Sequence, residues 1–178
     1  MSELRTNLKD QGKEKMEDRR QESIEKLKRI LEGIDFAMLT TIAGGKFRSR
    51  PMSTQEMDEN GDLWFFTSDD THKVEEIEAD DRVLVAYSQP DENTYVSVFG
   101  RAKLVKDRDK IEELWNPVHQ AWFPEGVDDP HLSLLKISVE EAEYWDSPNS
   151  KLVQIAGFVK ALVTGQEAEG GDYGKINL

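Results

Sequence analysis

Between Phe36 and Val105 the chain divides into short apolar segments separated by turn signals, at a spacing of roughly ten residues. Phe36-Ala37-Met38-Leu39-Thr40-Thr41-Ile42 reads as the first strand, and Gly44-Gly45 turns the chain into a second one that starts at Lys46. Asp58-Glu59-Asn60-Gly61-Asp62 is a hairpin signal before Leu63-Trp64-Phe65-Phe66-Thr67. Arg82 to Ser88 is a fourth strand, Pro90 to Asn93 a turn, and Thr94 to Val105 a fifth strand in which Gly100 marks a bulge or bend. Short strands joined by tight turns pair with their neighbours, and a small sheet leaves exposed edges unless it closes. The expected fold is therefore mainly β with flanking helices: a six- to seven-stranded antiparallel barrel, its open ends covered by the helices.

The helices follow from the same punctuation. Ile24, Leu27, Ile30, Leu31 and Ile34 have helical spacing, and Gly33 supplies a stop. Thr71 to Ala79 carries Val74 and Ile77 inward, and Lys106 to Trp115 reads as another helix. Asn116 to Pro130 is a loop whose Trp122 and Phe123 point to docking. His131 to Ile137 reads as the sixth strand. Ser138-Val139-Glu140-Glu141 matches a capping box that would open one helical turn, with a short final strand over Ala142 to Asp146. A helix is expected over Lys151 to Val163. The organisation is a charged arm over 1–23, one domain over 24–164 and a flexible tail over 165–178.

Composition narrows the function classes. There are 36 Asp and Glu against 23 Lys and Arg, a net charge of -13, which disfavours a nucleic-acid partner over most of the surface. The absence of cysteine removes disulfides, thiolate catalysis and Cys-bound zinc. No run of apolar residues is long enough for a membrane span, and the N-terminus lacks an apolar leader. A cytoplasmic protein is expected.

Within this acidic chain Lys46, Arg48 and Arg50 alternate with Phe47, Ser49 and Pro51, so one strand face gathers the cations. Such an island suits a small anion such as a phosphate. Edge strands also carry Lys and Arg for solubility, so spacing alone leaves both readings open. After the third strand, Thr67, Ser68, Thr71 and Lys73 lie at a helix entry, where unpaired N–H groups favour an anion. Ordinary capping explains the same residues, and Asp69 and Asp70 must turn away for an anion to bind. The Asn60-Gly61 turn makes the second and third strands neighbours, which brings the two signals together. His72, His119 and His131 have no metal-ligand spacing, so no metal site is expected. No G-x-S-x-G, G-x-G-x-x-G or P-loop pattern occurs. Glu75-Glu76 and Glu140-Glu141 read as solvated helix faces, and Tyr144-Trp145 as core aromatics or a lid over a ring.

Gly45-Lys46-Phe47-Arg48-Ser49-Arg50-Pro51-Met52, Gly61-Asp62-Leu63-Trp64-Phe65-Phe66-Thr67-Ser68, His72-Lys73, Arg82-Val83-Leu84-Val85, Val98-Phe99-Gly100-Arg101-Ala102 and Ala142-Glu143-Tyr144-Trp145-Asp146 together resemble the pyridoxamine 5'-phosphate oxidase-like family of FMN-binding split barrels, within it the bacterial general-stress-protein subgroup. The resemblance implies a homodimer with flavin, FMN or alternatively FAD, at the subunit interface. It implies that Arg50, Pro51, Met52 and Ser53 line the isoalloxazine and that Thr67, Ser68, His72 and Lys73 hold the phosphate. Arg48 is a second phosphate candidate, and Trp145 would approach from the partner subunit. True pyridoxamine phosphate oxidases carry an Arg/His motif near the C-terminus. Here Gly165 to Leu178 has neither residue, nor has Lys151 to Val163, so vitamin B6 oxidation is not expected. The resemblance therefore implies a flavin-binding stress protein with a redox or sensing role. The alternative is a flavin- or deazaflavin-dependent oxidoreductase using NAD(P)H. No catalytic residue is assigned in either.

Overall fold

The computed structural model describes residues 2–146 and 172–178, with side chains from residue 11 onward. Among the described residues there are seven strands and three α-helices. In chain order they are α1 (Ser2–Leu31), β1 (Phe36–Ala43), β2 (Lys46–Met57), β3 (Asp62–Ser68), α2 (His72–Ala79), β4 (Arg82–Gln89), β5 (Thr94–Val105), α3 (Arg108–Leu114), β6 (Leu132–Asp146) and β7 (Asp172–Asn177). The sheet order is β3-β2-β1-β4-β5-β6-β7, and a further β3–β6 pairing closes it into the expected antiparallel barrel. Strand alternation drives the closure. Leu39, Phe65, Val85, Val98, Leu135 and Ile137 are fully buried inside, so each strand turns one face inward and hydrophobic burial holds the ring shut.

β6 is longer than the sequence pattern indicates. The capping box at Ser138 does not start a helical turn: residues 132–146 are one continuous strand. Its first half pairs with β3 and its second half with β7, while β5 runs beside both. The ladder to β5 shifts register between Phe99 and Gly100. This is the bend expected at Gly100, where a Cβ would come within 3.0 Å of the Ser138 carbonyl oxygen. Cross-strand pairing to both neighbours outweighs the local preference of Ser and Glu for a helix start.

The charged arm is helical, and the C-terminal end differs from expectation. α1 is one continuous helix through the charged arm, anchored by the buried Ile24 and Leu27 and stopped at Gly33, whose φ is +81°. Residues 172–178, expected to belong to a flexible tail, instead form β7. Ile176 is buried in the main core, and Leu178 donates its backbone N–H to the Glu140 carbonyl. The helix expected over 151–163 lies outside the described residues. A second apolar cluster, Trp64, Ile111, Phe123, Leu132 and Leu134, forms on the outer side of β3 and β6. Through Phe123 the aromatic loop docks there, while Trp122 stays exposed.

Candidate functional site

Arg48 and Arg50 of β2 lie on the same sheet face as the buried Leu39 and Thr41 of β1, the strand against which α2 packs. The reason is pairing register. Arg50 faces Leu39 and Arg48 faces Thr41, and both β1 residues are buried. Arg50 and, more loosely, Arg48 are consequently compensated from within the protein, whereas Lys46 has no ion pair among the described residues. Glu76 of α2 is only 9% exposed. Its Oε2 accepts from Thr41 Oγ1 at 2.6 Å and from Arg50 Nη2 at 2.7 Å. Arg50 Nη1 also donates to Thr41 Oγ1 at 3.0 Å. Arg48 Nε lies 3.6 Å from Glu76 Oε1, with its side chain 60% exposed. Burial acts to raise the Glu76 carboxyl, but the Thr41 and Arg50 hydrogen bonds and the charges of Arg50 and Arg48 outweigh it and hold it below its ordinary 4.5.

Glu76 thus corrects the expectation of a solvated Glu75-Glu76 pair. Glu75 is exposed and, among the described residues, pairs with His72 at 3.2 Å, while Glu76 turns inward. Its place beside the inward Ile77, and three residues from Lys73, is the signal that could have marked it.

Lys73, in the first turn of α2, is half-buried. Its Nζ lies 3.8 Å from Met52 Sδ and has no carboxylate partner among the described residues. Burial, and secondarily the charge of Arg50, holds its ammonium below the ordinary 10.5. A partly desolvated cation without a counter-ion costs free energy that an anionic ligand would recover.

The remaining expected site residues separate into groups. Met52 packs against the core. Pro51 and Ser53 lie on the opposite, outer face, across from Met38 and Phe36. Thr67 is buried and donates to the Ser68 carbonyl at 3.1 Å. Ser68 Oγ bonds Asp70 at 2.6 Å, and Thr71 Oγ1 donates to the Ser68 carbonyl at 3.1 Å. Asp69 does turn away from the helix entry, held by Lys106 and by His131 at 2.9 Å. His72 is 90% exposed and bonded to Glu75, so it is not gathered with Lys73. Trp145 is on the outer face of β6, its ring 5.4 Å from Tyr173, while Tyr144 beside it is buried. Strand alternation therefore gives the aromatic pair one core residue and one surface residue. A groove of about 360 Å³ opens between the end of α1 and the second half of β2. Ile34, Thr54, Met57 and Tyr87 are in its wall, and none of the expected site residues lines it.

A sequence model of the family described as pyridoxamine 5'-phosphate oxidase like matches residues 22–169. The chain belongs to this family. It is 31% identical over 115 residues to general stress protein 26 of Bacillus subtilis, which covers 63% of this chain and 80% of that protein. Among solved structures it is similar to a candidate general stress protein 26 of Jannaschia sp. CCS1, with TM-score 0.71, 26% identity, and 84% of this chain and 94% of that one covered. It is likewise similar to the general stress FMN/FAD binding protein of Xanthomonas citri, with TM-score 0.62, 30% identity, and 70% and 89% covered. These likenesses bear out the split-barrel fold and the general-stress likeness within the pyridoxamine 5'-phosphate oxidase-like family.

Proposed function

We propose that this member of the pyridoxamine 5'-phosphate oxidase-like family binds a flavin, FMN in preference and FAD as alternative, at the junction of β2, β3 and α2. The observation that carries the reading is Lys73, a half-buried cation in the first turn of α2 with no carboxylate partner among the described residues. In this reading Lys73 meets the phosphate together with the α2 entry, where Thr67, Ser68 and His72 contribute backbone groups and hydroxyls. Arg50, Pro51, Met52 and Ser53 lie along the ring, and Arg48 stands at the exposed edge. When bound, the flavin supplies the redox chemistry, and the chain's own residues bind and orient it. Family membership and the FMN/FAD-binding Xanthomonas citri protein support the same assignment.

The outer sheet face supports a homodimer. Phe36, Met38, Leu84, Tyr95, Phe99 and Trp145 are large apolar or aromatic side chains exposed on it. An exposed apolar face of this extent suits a second copy of the chain, and Trp145 would then reach the partner's flavin. Among the described residues no helix is long and apolar enough to cross a membrane. With the lack of cysteine, this fits the cytoplasmic setting of the proposal.

The test is an absorbance spectrum of the purified protein and a titration with FMN. Binding in the micromolar range or tighter is expected, and no binding overturns the reading. Steady NAD(P)H oxidation by the flavin-loaded protein would instead select the alternative reading, a flavin- or deazaflavin-dependent oxidoreductase.

A further inference from the structure

We propose that Glu76 sets the ligand specificity of this site: a built-in carboxylate takes up the β2 arginines and leaves Lys73 to meet the ligand's phosphate. The inference rests on the flavin reading above and deepens it. Arg50 donates to Glu76 and to Thr41, and Arg48 approaches the other carboxylate oxygen. Neither arginine is therefore held ready for a phosphate, although the strand pattern alone offers both.

The local charge makes the consequence definite. Arg48, Arg50 and Lys73 are three cations and Glu76 one anion, so the cluster carries a net +2. The phosphate monoester of FMN carries roughly -1.5 to -2 at neutral pH. FAD has only diester phosphates, with less charge on each phosphorus, and riboflavin has none. FAD carries about -2 in total, but over two phosphates of one charge each, so a positive cluster that meets a single phosphate favours the monoester, and the preference grows with the net charge of the cluster. Burial of Glu76 strengthens its effect, because charges interact more strongly where water is excluded. By removing one positive charge from the sum, Glu76 lowers the premium on a phosphate monoester. The wild-type site then discriminates less among FMN, FAD and riboflavin than three uncompensated cations would.

The experiment titrates the full-length protein with FMN, FAD and riboflavin, following flavin fluorescence, in wild type, Glu76→Gln, Arg48→Gln and the double variant Arg48→Gln/Glu76→Gln. Glu76→Gln should raise the FMN-to-riboflavin affinity ratio about five- to tenfold, the size of one added charge in a partly screened site. FAD should fall between the other two. The double variant restores the wild-type charge, so its ratio should return to within about twofold of wild type. Merely loosening the fold would weaken all three ligands and leave the ratio where it was. A ratio that stays or falls in Glu76→Gln overturns the proposal. Should Glu76→Gln not fold, Lys73→Ala against Arg48→Gln decides: a ratio that falls clearly more in Lys73→Ala supports the proposal, and an equal or larger fall in Arg48→Gln, which would mean that arginine meets the phosphate, overturns it. Wild-type protein that binds no flavin overturns the flavin reading and this inference with it. Wild-type binding with charge-independent ratios overturns this inference alone.

Discussion

Lys73 and Glu76 occupy adjacent turns of one short helix, yet their environments differ. Lys73 is cationic, partly desolvated and without a carboxylate partner among the described residues, whereas Glu76 is buried within a set of donors. Lys73→Ala should weaken FMN binding by about 1.5–3 kcal/mol, the range of a hydrogen bond to a charged group, and leave riboflavin binding unchanged. A fluorescence titration with both ligands checks this. The depressed ammonium also gives a pH dependence. Its contact with a phosphate is present below its folded pKa and lost as pH rises through it. FMN affinity should therefore start to fall at a pH below 10.5, the ordinary value, and Lys73→Ala should flatten the profile. Glu76 behaves in the opposite sense. Its pKa lies below 4.5 in the fold, so its stabilisation is present above that pH and lost as acid protonates it.

At the scale of elements, β2 and β4 meet through a hydroxyl pair, with Thr54 Oγ1 and Tyr87 Oη 3.0 Å apart. Burial pushes the Tyr87 phenol up to about 12, against a smaller opposing effect of the Thr54 hydrogen bond. Between the ordinary 10.0 and about 12 the unfolded chain gives up this proton while the folded protein keeps it. Stability should fall across that window, by roughly 2–3 kcal/mol in all. Urea unfolding at a series of alkaline pH values should show the loss in wild type and a smaller one in Tyr87→Phe.

β7 offers a second test at this scale. Gly174 lies against Tyr144, and an added Cβ would come within 3.0 Å of the phenol oxygen. Gly174→Ala should destabilise by about 1–3 kcal/mol. Hydrogen exchange should show earlier opening of residues 172–178. Tyr144→Phe should relieve part of that effect by removing the oxygen, although it also removes the bonds to Lys26 and Asp172.

For the whole molecule the apolar barrel core is buried within one chain, while the outer face leaves large apolar side chains exposed. Light scattering of the flavin-loaded protein should give a mass near twice the 20.4 kDa of one chain. Leu84 and Phe99 stand opposite each other on β4 and β5, both exposed. Replacing both by Glu should shift the protein to monomer, because two charges would have to be desolvated in the contact. Pyridoxamine phosphate is not expected to be a substrate. It needs its own phosphate pocket, and Lys175, the cation at the C-terminal end, is paired with Glu141 at 2.6 Å. Turnover on the order of 1 per second in an aerobic assay would refute this.

The barrel itself was legible in the chain. Period-two alternation from Phe36 to Val105 and the Gly and Asn-Gly turns are local signals, and they place β1 to β5 and the bend at Gly100. The entry to α2 was legible for the same reason, since caps and helix starts depend on residues a few positions apart. Local signals could not reveal pairings across long sequence separations. β7 forms because β6 offers it an edge, and the run through Ser138 stays extended because β3 and β5 flank it. The site follows the same division. Its residue types could be read from the chain: a cationic strand, a hydroxyl-rich turn and Lys73. Which cation remains without a carboxylate partner was decided only when α2 packed against β1 beside β2. That packing set Glu76 against Arg50 and Thr41: spacing along α2 could mark Glu76 as lying on the Lys73 side of the helix, but not which strand residues it would meet.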